Sequence, residues 1–416
     1  MFTLNKRQFL ASSVGNALEY YDATLYGFLA AFLGPLFFPS DDPLITTLAS
    51  FGAFAAGFIV RPLGGILFGH FGDKYGRKKT LLLTLIMMVI PTFAISFLPS
   101  YQQIGFLAPC ILVLCRLLQG LCVGGEYPGA SIFIIEHSHP HRKGFAGGIL
   151  TASGCFGAFM GALSSSFFTS SFFPDWGWRI PFFIGGTLGL IALYFRFYLR
   201  ETPAFEKKLH RSPSSQTPIM QVFLKHPRNF ICVFFIGSAA ISPLYLLTIY
   251  LSSISFQTGL PLSKGIIVYS VFMAVCFIAL PFMGWLADKI GRRRIMLTGV
   301  LGLFLLAYPV FSFVQDHTVE RIIGAQIVLG FFNTAFVGPT PAFETSLFPV
   351  NIRYTAIAFG YGLGGALLGS TGPFLCTLFV EWTGKPEAPA FYLMLTSLLG
   401  FLGVILAKRP IEREQH

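Results

Sequence analysis

Gly69-His70-Phe71-Gly72-Asp73-Lys74-Tyr75-Gly76-Arg77-Lys78-Lys79 and Gly284-Trp285-Leu286-Ala287-Asp288-Lys289-Ile290-Gly291-Arg292-Arg293-Arg294 are one pattern written twice. The shared form is G-x-x-x-D-x-x-G-R-[KR]-[KR], with Asp73 and Asp288 215 residues apart. Each copy separates two apolar stretches long enough to cross a bilayer. Glu136 and Glu344 each close another such stretch and are 208 residues apart, half the 416-residue length. A duplication of this size predicts two six-helix halves in parallel orientation, with a site at their interface near the bilayer midplane.

Composition agrees. The chain is 54% hydrophobic and only 11% charged, with a mean hydropathy of +0.68. A soluble domain carries roughly 25% charged residues. These figures exclude a soluble enzyme, a disordered chain and a collagen-like fibre. A spanning helix needs about 20 mostly apolar residues. Six stretches qualify in the first half, at roughly 11–38, 44–71, 80–98, 104–136, 145–170 and 179–199. Six more follow at roughly 228–256, 265–287, 295–314, 321–346, 353–381 and 389–407. The predicted fold is an all-α membrane protein, with twelve transmembrane helices in two pseudo-symmetric six-helix bundles. Residues 1–199 form the first bundle and 228–416 the second, joined by a cytoplasmic linker, 200–227. The linker is too short for a catalytic domain. Pro243, Pro309, Pro339, Pro341 and Pro373 lie within spans and predict kinks or breaks. The seven cysteines fall in apolar stretches without a C-x-x-C, so they read as packing residues. The first span contains Glu19 and Asp22, which the apolar core of a cleaved signal excludes.

The net charge of +11 comes from 29 Lys+Arg against 18 Asp+Glu. When the loops are numbered alternately, 23 basic residues fall on the side that holds both motif copies and both termini. That group includes Arg196, Arg211, Arg353, Arg409 and Arg413. The other side holds four: Arg179, Lys264, Arg321 and Lys385. The positive-inside rule then places both termini in the cytoplasm. The basic excess is a topology signal, so nucleic acid is not expected as a partner.

The doubled motif resembles the major facilitator superfamily, and finer motifs resemble its metabolite:proton symporter family. They are Gly15-Asn16-Ala17-Leu18-Glu19-Tyr20-Tyr21-Asp22 with Tyr26-Gly27, Arg61-Pro62-Leu63-Gly64-Gly65, and Arg116-Leu117-Leu118-Gln119-Gly120. Gly124-Gly125-Glu126-Tyr127, Trp176-Gly177-Trp178-Arg179-Ile180-Pro181 and Glu201-Thr202-Pro203 follow in order. Within the family the chain is most similar to the proline/betaine transporters, on Phe37-Phe38-Pro39, Gly129 to Phe133 and Ala390 to Met394. It departs from the family pattern at Tyr20, where Trp is usual, and at Ala23, where Phe is usual. Osmosensory members of that type carry a long C-terminal coiled coil. This chain stops about nine residues past its last span, so gating through such a tail is not expected.

Charges within the membrane cost roughly 2.5–3.5 kcal/mol each on insertion scales and therefore mark function by default. The first half has five: Glu19, Asp22, Arg61, Arg116 and Glu126. Glu19 and Asp22 share a helix face at i, i+3, and Tyr26 lies four residues beyond Asp22. Asp22 or Glu19 is the expected carrier of the coupling proton. Arg61, Arg116, Glu126 and Tyr26 are the expected substrate contacts or ion-pair partners. Arg116 is placed to hold a substrate carboxylate or to modulate the proton site. Glu126 is expected to meet Arg61 or a substrate ammonium. On the cytoplasmic side, Asp73 is expected to cap the helix that follows it. Arg77 is expected to latch to Glu136, and Arg292, beside Asp288, to Glu344. Together these six form a gate. His137-Ser138-His139-Pro140-His141 reads as a polar basic loop rather than a metal site.

The expected function is import of a small zwitterionic or anionic metabolite, proline- or betaine-like, by proton symport through alternating access. The competing substrate is α-ketoglutarate or another di- or tricarboxylate. A transporter-like sensor that no longer transports is the reading from a different class. No nucleophile–base set or metal-ligand spacing appears, so neither an enzyme nor a cofactor or metal is expected, and the proton gradient supplies the drive. The expected partners are a small molecule, protons and the lipid bilayer, with the chain working as a monomer in a bacterial cytoplasmic membrane.

Overall fold

The computed structural model describes residues 6–209, 217–251, 262–315 and 318–408. Arg211, Arg409 and Arg413 of the basic-residue count lie outside these residues. Without water in the hydrocarbon layer, each backbone N–H and C=O must be satisfied within its own segment, and helices do this. The first half comprises α1 (Lys6–Phe37), α2 (Leu48–Tyr75), α3 (Arg77–Phe97), α4 (Leu107–His137), α5 (Lys143–Phe168) and α6 (Arg179–Phe197). The second comprises α7 (Pro227–Tyr245), α8 (Leu262–Ile290), α9 (Arg292–Phe313), α10 (Val319–Thr345), α11 (Arg353–Thr383) and α12 (Ala388–Leu406). Among the described residues, α2 to α12 give 11 segments long and apolar enough to span a membrane. The remaining helix, α1, has 32 residues but carries Asn16, Glu19 and Asp22.

The motif's second glycine has a conformational cause. Gly76 and Gly291 stand at φ 109° and 115°, where they turn the chain from α2 into α3 and from α8 into α9. An L-residue with a side chain is strained there. Three second-half spans are interrupted, two of them at expected prolines. A π-helical turn, Leu246–Tyr250, follows Pro243, and the chain turns at Gly338 and Pro339 within α10. A further π-helical turn, Gly365–Gly369, precedes Pro373 in α11. Pro309 instead sits inside the unbroken helix α9.

The halves meet along α5 against α8 and α2 against α11. Helix α5 also lies flush on α1: a Cβ on Gly157 would stand 1.8 Å from the Ala17 carbonyl oxygen. The loops α2–α3, α4–α5, α8–α9 and α10–α11 gather at one end of the bundle, here called the motif face. The short helices Pro203–Leu209 and Pro218–Lys225 lie along it, and the C-terminal end of α12 is tied there by Arg228 and Arg293 through the Leu406 and Ile405 carbonyls.

Candidate functional site

Five of the predicted site residues surround one narrow cavity in the first half, or stand just behind its wall. Glu19, Asp22, Ala23, Phe54, Phe58, Arg61, Arg116 and Gln119 are among its lining residues. Ala23 forms the wall beside Asp22. Tyr26 stands behind, with the Arg116 guanidinium 4.3 Å above its ring.

Asp22 and Arg116 form the centre of a closed network. Arg116 Nη1 donates to Asp22 Oδ2 at 3.1 Å and to Gln119 Oε1 at 2.6 Å. Gln119 Nε2 donates to Thr92 Oγ1 at 2.9 Å, and Thr92 Oγ1 donates to Asp22 Oδ1 at 3.0 Å. Asp22 and Arg116 are each about 95% buried yet border the cavity. Arg116 and Gln119 lie on one face of α4 at i, i+3, and Thr92 projects from α3 to meet them. A cation held by one carboxylate and one neutral amide at the edge of a cavity can be released by protonating that carboxylate.

Glu19 and Arg61 are different. Glu19 is 4% exposed, and its Oε2 has no hydrogen-bond partner. Arg61 is half-buried, its guanidinium lies 3.8 Å from the Phe58 ring centroid, and its Nε has no hydrogen-bond partner. Neither forms an ion pair among the described residues, although each is within electrostatic reach of the other. Phe58 in turn meets Tyr245 of α7 edge-on at 5.8 Å, so the cavity wall reaches the second half.

Glu126 lies elsewhere than expected. It pairs with neither Arg61 nor the cavity. Arg196 of α6 grips it bidentately, with Nη1 to Oε2 at 3.0 Å and Nη2 on Oε1. Thr84 Oγ1 donates to Oε2 at 2.7 Å, while Arg196 also donates to the carbonyls of Leu81 and Ala11. Both charged side chains are fully buried. A Cβ on Gly15 would fall 1.9 Å from Arg196 Nη2, so α1 needs glycine where it crosses the pair. Arg196, counted among the loop cations from sequence, is therefore a sixth charge inside the bundle. Its place three residues from the apparent span end hides it from a hydropathy reading.

At the motif face, Arg77 meets Glu136 as expected, Nε to Oε2 at 3.3 Å. The latch also crosses between halves. Arg353 Nη1 donates to Glu136 Oε1 at 2.8 Å, and Arg77 Nη2 donates to the Val350 carbonyl at 2.7 Å. Thr202 Oγ1 completes the set on Glu136 Oε2 at 2.5 Å. Asp73 does not cap α3. Its carboxylate accepts from the backbone N–H groups of Tyr354 and Thr355, at 3.1 and 2.8 Å, at the start of α11. Asp288 does the same for α5, accepting from Gly144 and Phe145 at 2.8 and 2.9 Å. Each half thus caps a helix of the other, anion against helix N-terminus. The cap on α3 falls to Glu201, which accepts from the backbone N–H groups of Arg77 and Lys78 at 3.1 Å each. Lys208 donates to the Asp73 carbonyl, and burial holds its ammonium below the usual lysine range.

The second expected latch is not formed. Arg292 pairs with Asp288 at 3.2 Å and donates to the Pro140 carbonyl, while Glu344 is 3% exposed with no partner on Oε1. The repeat supplies the acid and the arginine. The residues that complete the Glu136 site, Arg353 and Thr202, belong to the α10–α11 loop end and the linker, whose chemistry is not repeated around Glu344. Among the described residues no His/Cys/Asp/Glu group is arranged to hold a metal.

Residues 8–214 match the family model described as "Sugar (and other) transporter", and residues 244–416 match "Major Facilitator Superfamily". The proline/betaine transporter of Escherichia coli (strain K12) is 35% identical, covering 98% of this chain and 84% of its own length. The glycine betaine/proline/ectoine/pipecolic acid transporter OusA of Dickeya dadantii (strain 3937) is 34% identical over the same shares. The structure of the proton:xylose symporter XylE bound to 6-bromo-6-deoxy-D-glucose matches with a TM-score of 0.77 at 17% identity, covering 96% of this chain and 94% of its own. At that identity the likeness is one of fold.

Proposed function

Because the chain belongs to the major facilitator superfamily and stands with its proline/betaine transporters, we propose that it imports a small zwitterionic or anionic metabolite together with a proton. It is a multi-pass membrane transporter. The observation that carries the proton half of the reading is the Asp22–Arg116–Gln119–Thr92 network at the cavity edge. Protonating Asp22 removes the countercharge of Arg116 and frees it to move or to take a substrate carboxylate. Deprotonation restores the pair. The proton gradient supplies the drive, with no cofactor.

Alternating access follows from where the halves touch. The motif face is shut in this structure by Arg353–Glu136, Arg77–Val350 and the two crossed helix caps. These charges are buried in the closed face, with the Glu136 side chain 2% exposed. Opening returns them to water, so regained hydration offsets the lost pairing and the latch can open every cycle. We place this face, and both termini, in the bacterial cytoplasm on the distribution of basic loops. The cavity is complete within one chain, which supports a monomeric unit.

A dicarboxylate such as α-ketoglutarate is the second reading, favoured by Arg61 and Arg116 bordering one cavity. Radiolabelled uptake into proteoliposomes tests both. We expect proline or betaine accumulation that rises with an inward proton gradient and collapses when a protonophore dissipates it. Accumulation indifferent to the gradient overturns proton coupling. Binding without accumulation of any of these solutes favours the non-transporting sensor.

A further inference from the structure

We propose that Glu19 and Arg61 are the two poles of the substrate site, and that together they select a zwitterion over either a simple anion or a simple cation. The inference rests on the transport reading above and deepens it. Both residues line the same cavity, and they carry opposite charge. They stand within electrostatic reach of one another, and among the described residues no ion pair joins them. Each keeps an unpartnered polar atom, Glu19 Oε2 and Arg61 Nε. Every other charge buried deep in the first half is already answered: Asp22 by Arg116, and Glu126 by Arg196.

Leaving two opposite charges unpaired in a membrane cavity is costly, and a structure retains them when a ligand completes them. A ligand with a carboxylate at one end and a cationic nitrogen at the other satisfies both at once. Arg61 presents a planar guanidinium to the carboxylate. Glu19 faces the nitrogen, while the Phe58 ring, already under the Arg61 guanidinium at 3.8 Å, holds the carboxylate pole in place. A dicarboxylate satisfies Arg61 but brings negative charge up to Glu19. A cation without a carboxylate satisfies Glu19 but leaves Arg61 unpaired and adds positive charge beside it. Rejection of both therefore comes from uncompensated charge, a repulsive element built into the site. In this structure Arg116 already has its countercharge in Asp22, whereas Arg61 has none, so Arg61 is the carboxylate pole while the Asp22–Arg116 pair is closed.

The test is competition without a proton gradient, by counterflow of labelled betaine in proteoliposomes, with three unlabelled probes: betaine, choline and α-ketoglutarate. In the unsubstituted protein we expect betaine to compete at least tenfold better than the other two. Glu19→Gln should weaken betaine tenfold or more while improving α-ketoglutarate relative to it. Arg61→Gln should weaken betaine similarly while improving choline relative to it. Arg61→Lys, which keeps the charge, should retain part of the betaine affinity and guards against a folding artefact, as does monodispersity of each variant after purification. Equal competition by α-ketoglutarate and betaine in the unsubstituted protein overturns the proposal. So do variants that weaken all three probes in parallel. If this discrimination holds but pH-driven accumulation is absent, the two-pole site stands and the proton-coupling reading falls.

Discussion

Two carboxylate–arginine pairs sit inside the first bundle, and they are built differently. Glu126–Arg196 is bidentate and fully buried, and it is completed by Thr84 and two backbone carbonyls. It has no contact with the cavity. Asp22–Arg116 is held by a single guanidinium nitrogen and borders the cavity. One pair has every donor and acceptor answered by protein, so moving it would leave several buried groups unsatisfied. The other can exchange its countercharge for a proton or a ligand at little structural cost. The contrast separates a charge pair that fixes helices α1, α3, α4 and α6 from one that works.

The largest effect expected from this comparison is on folding. Arg196→Ala leaves Glu126 buried without a cation, and breaking a buried pair in this way costs about 3–5 kcal/mol. We expect a sharp loss of protein in the membrane and a lower thermal midpoint by fluorescence-detected size exclusion. Gly15→Ala, which drives a methyl group into the same pair, should lose stability in the same assay. Normal abundance and midpoint in Arg196→Ala would remove the static half of the comparison.

Next is Asp22→Asn. It should fold normally, since an amide still hydrogen-bonds Thr92 or Arg116, yet lose at least 100-fold in gradient-driven accumulation. A variant that misfolds as badly as Arg196→Ala would make the two pairs alike. Smaller again is the latch. Arg353→Ala removes one of two arginines on Glu136 at the motif face and should shift the closed–open balance a fewfold toward open. That shift is readable as increased labelling of a cysteine placed beneath the latch. Glu344→Gln should change this labelling less, because Glu344 holds no partner across the closed face.

The same contrasts show what sequence makes legible. Twelve spans, the duplication and the Asp22–Arg116 region could be read because hydropathy, repeat spacing and rare intramembrane charges are properties of the chain order. The partner of Glu126 could not. Arg196 stands near a helix end in sequence, and only packing turns it inward. The helix that Asp73 caps is hidden for a related reason: Asp73 is followed in sequence by α3, but in space it faces the start of α11. The Arg292–Glu344 latch was inferred from symmetry. It fails because the repeat copies the acid and the arginine without the second arginine and the linker threonine that hold Glu136.

Asp22 is the proposed coupling group, and the most direct measurement is of two fluxes in Asp22→Asn proteoliposomes. Solute-driven proton uptake should be absent, while solute counterflow at equal pH on both sides continues. Proton uptake at the rate of the unsubstituted protein, with counterflow intact, would place the coupling proton elsewhere and contradict the account.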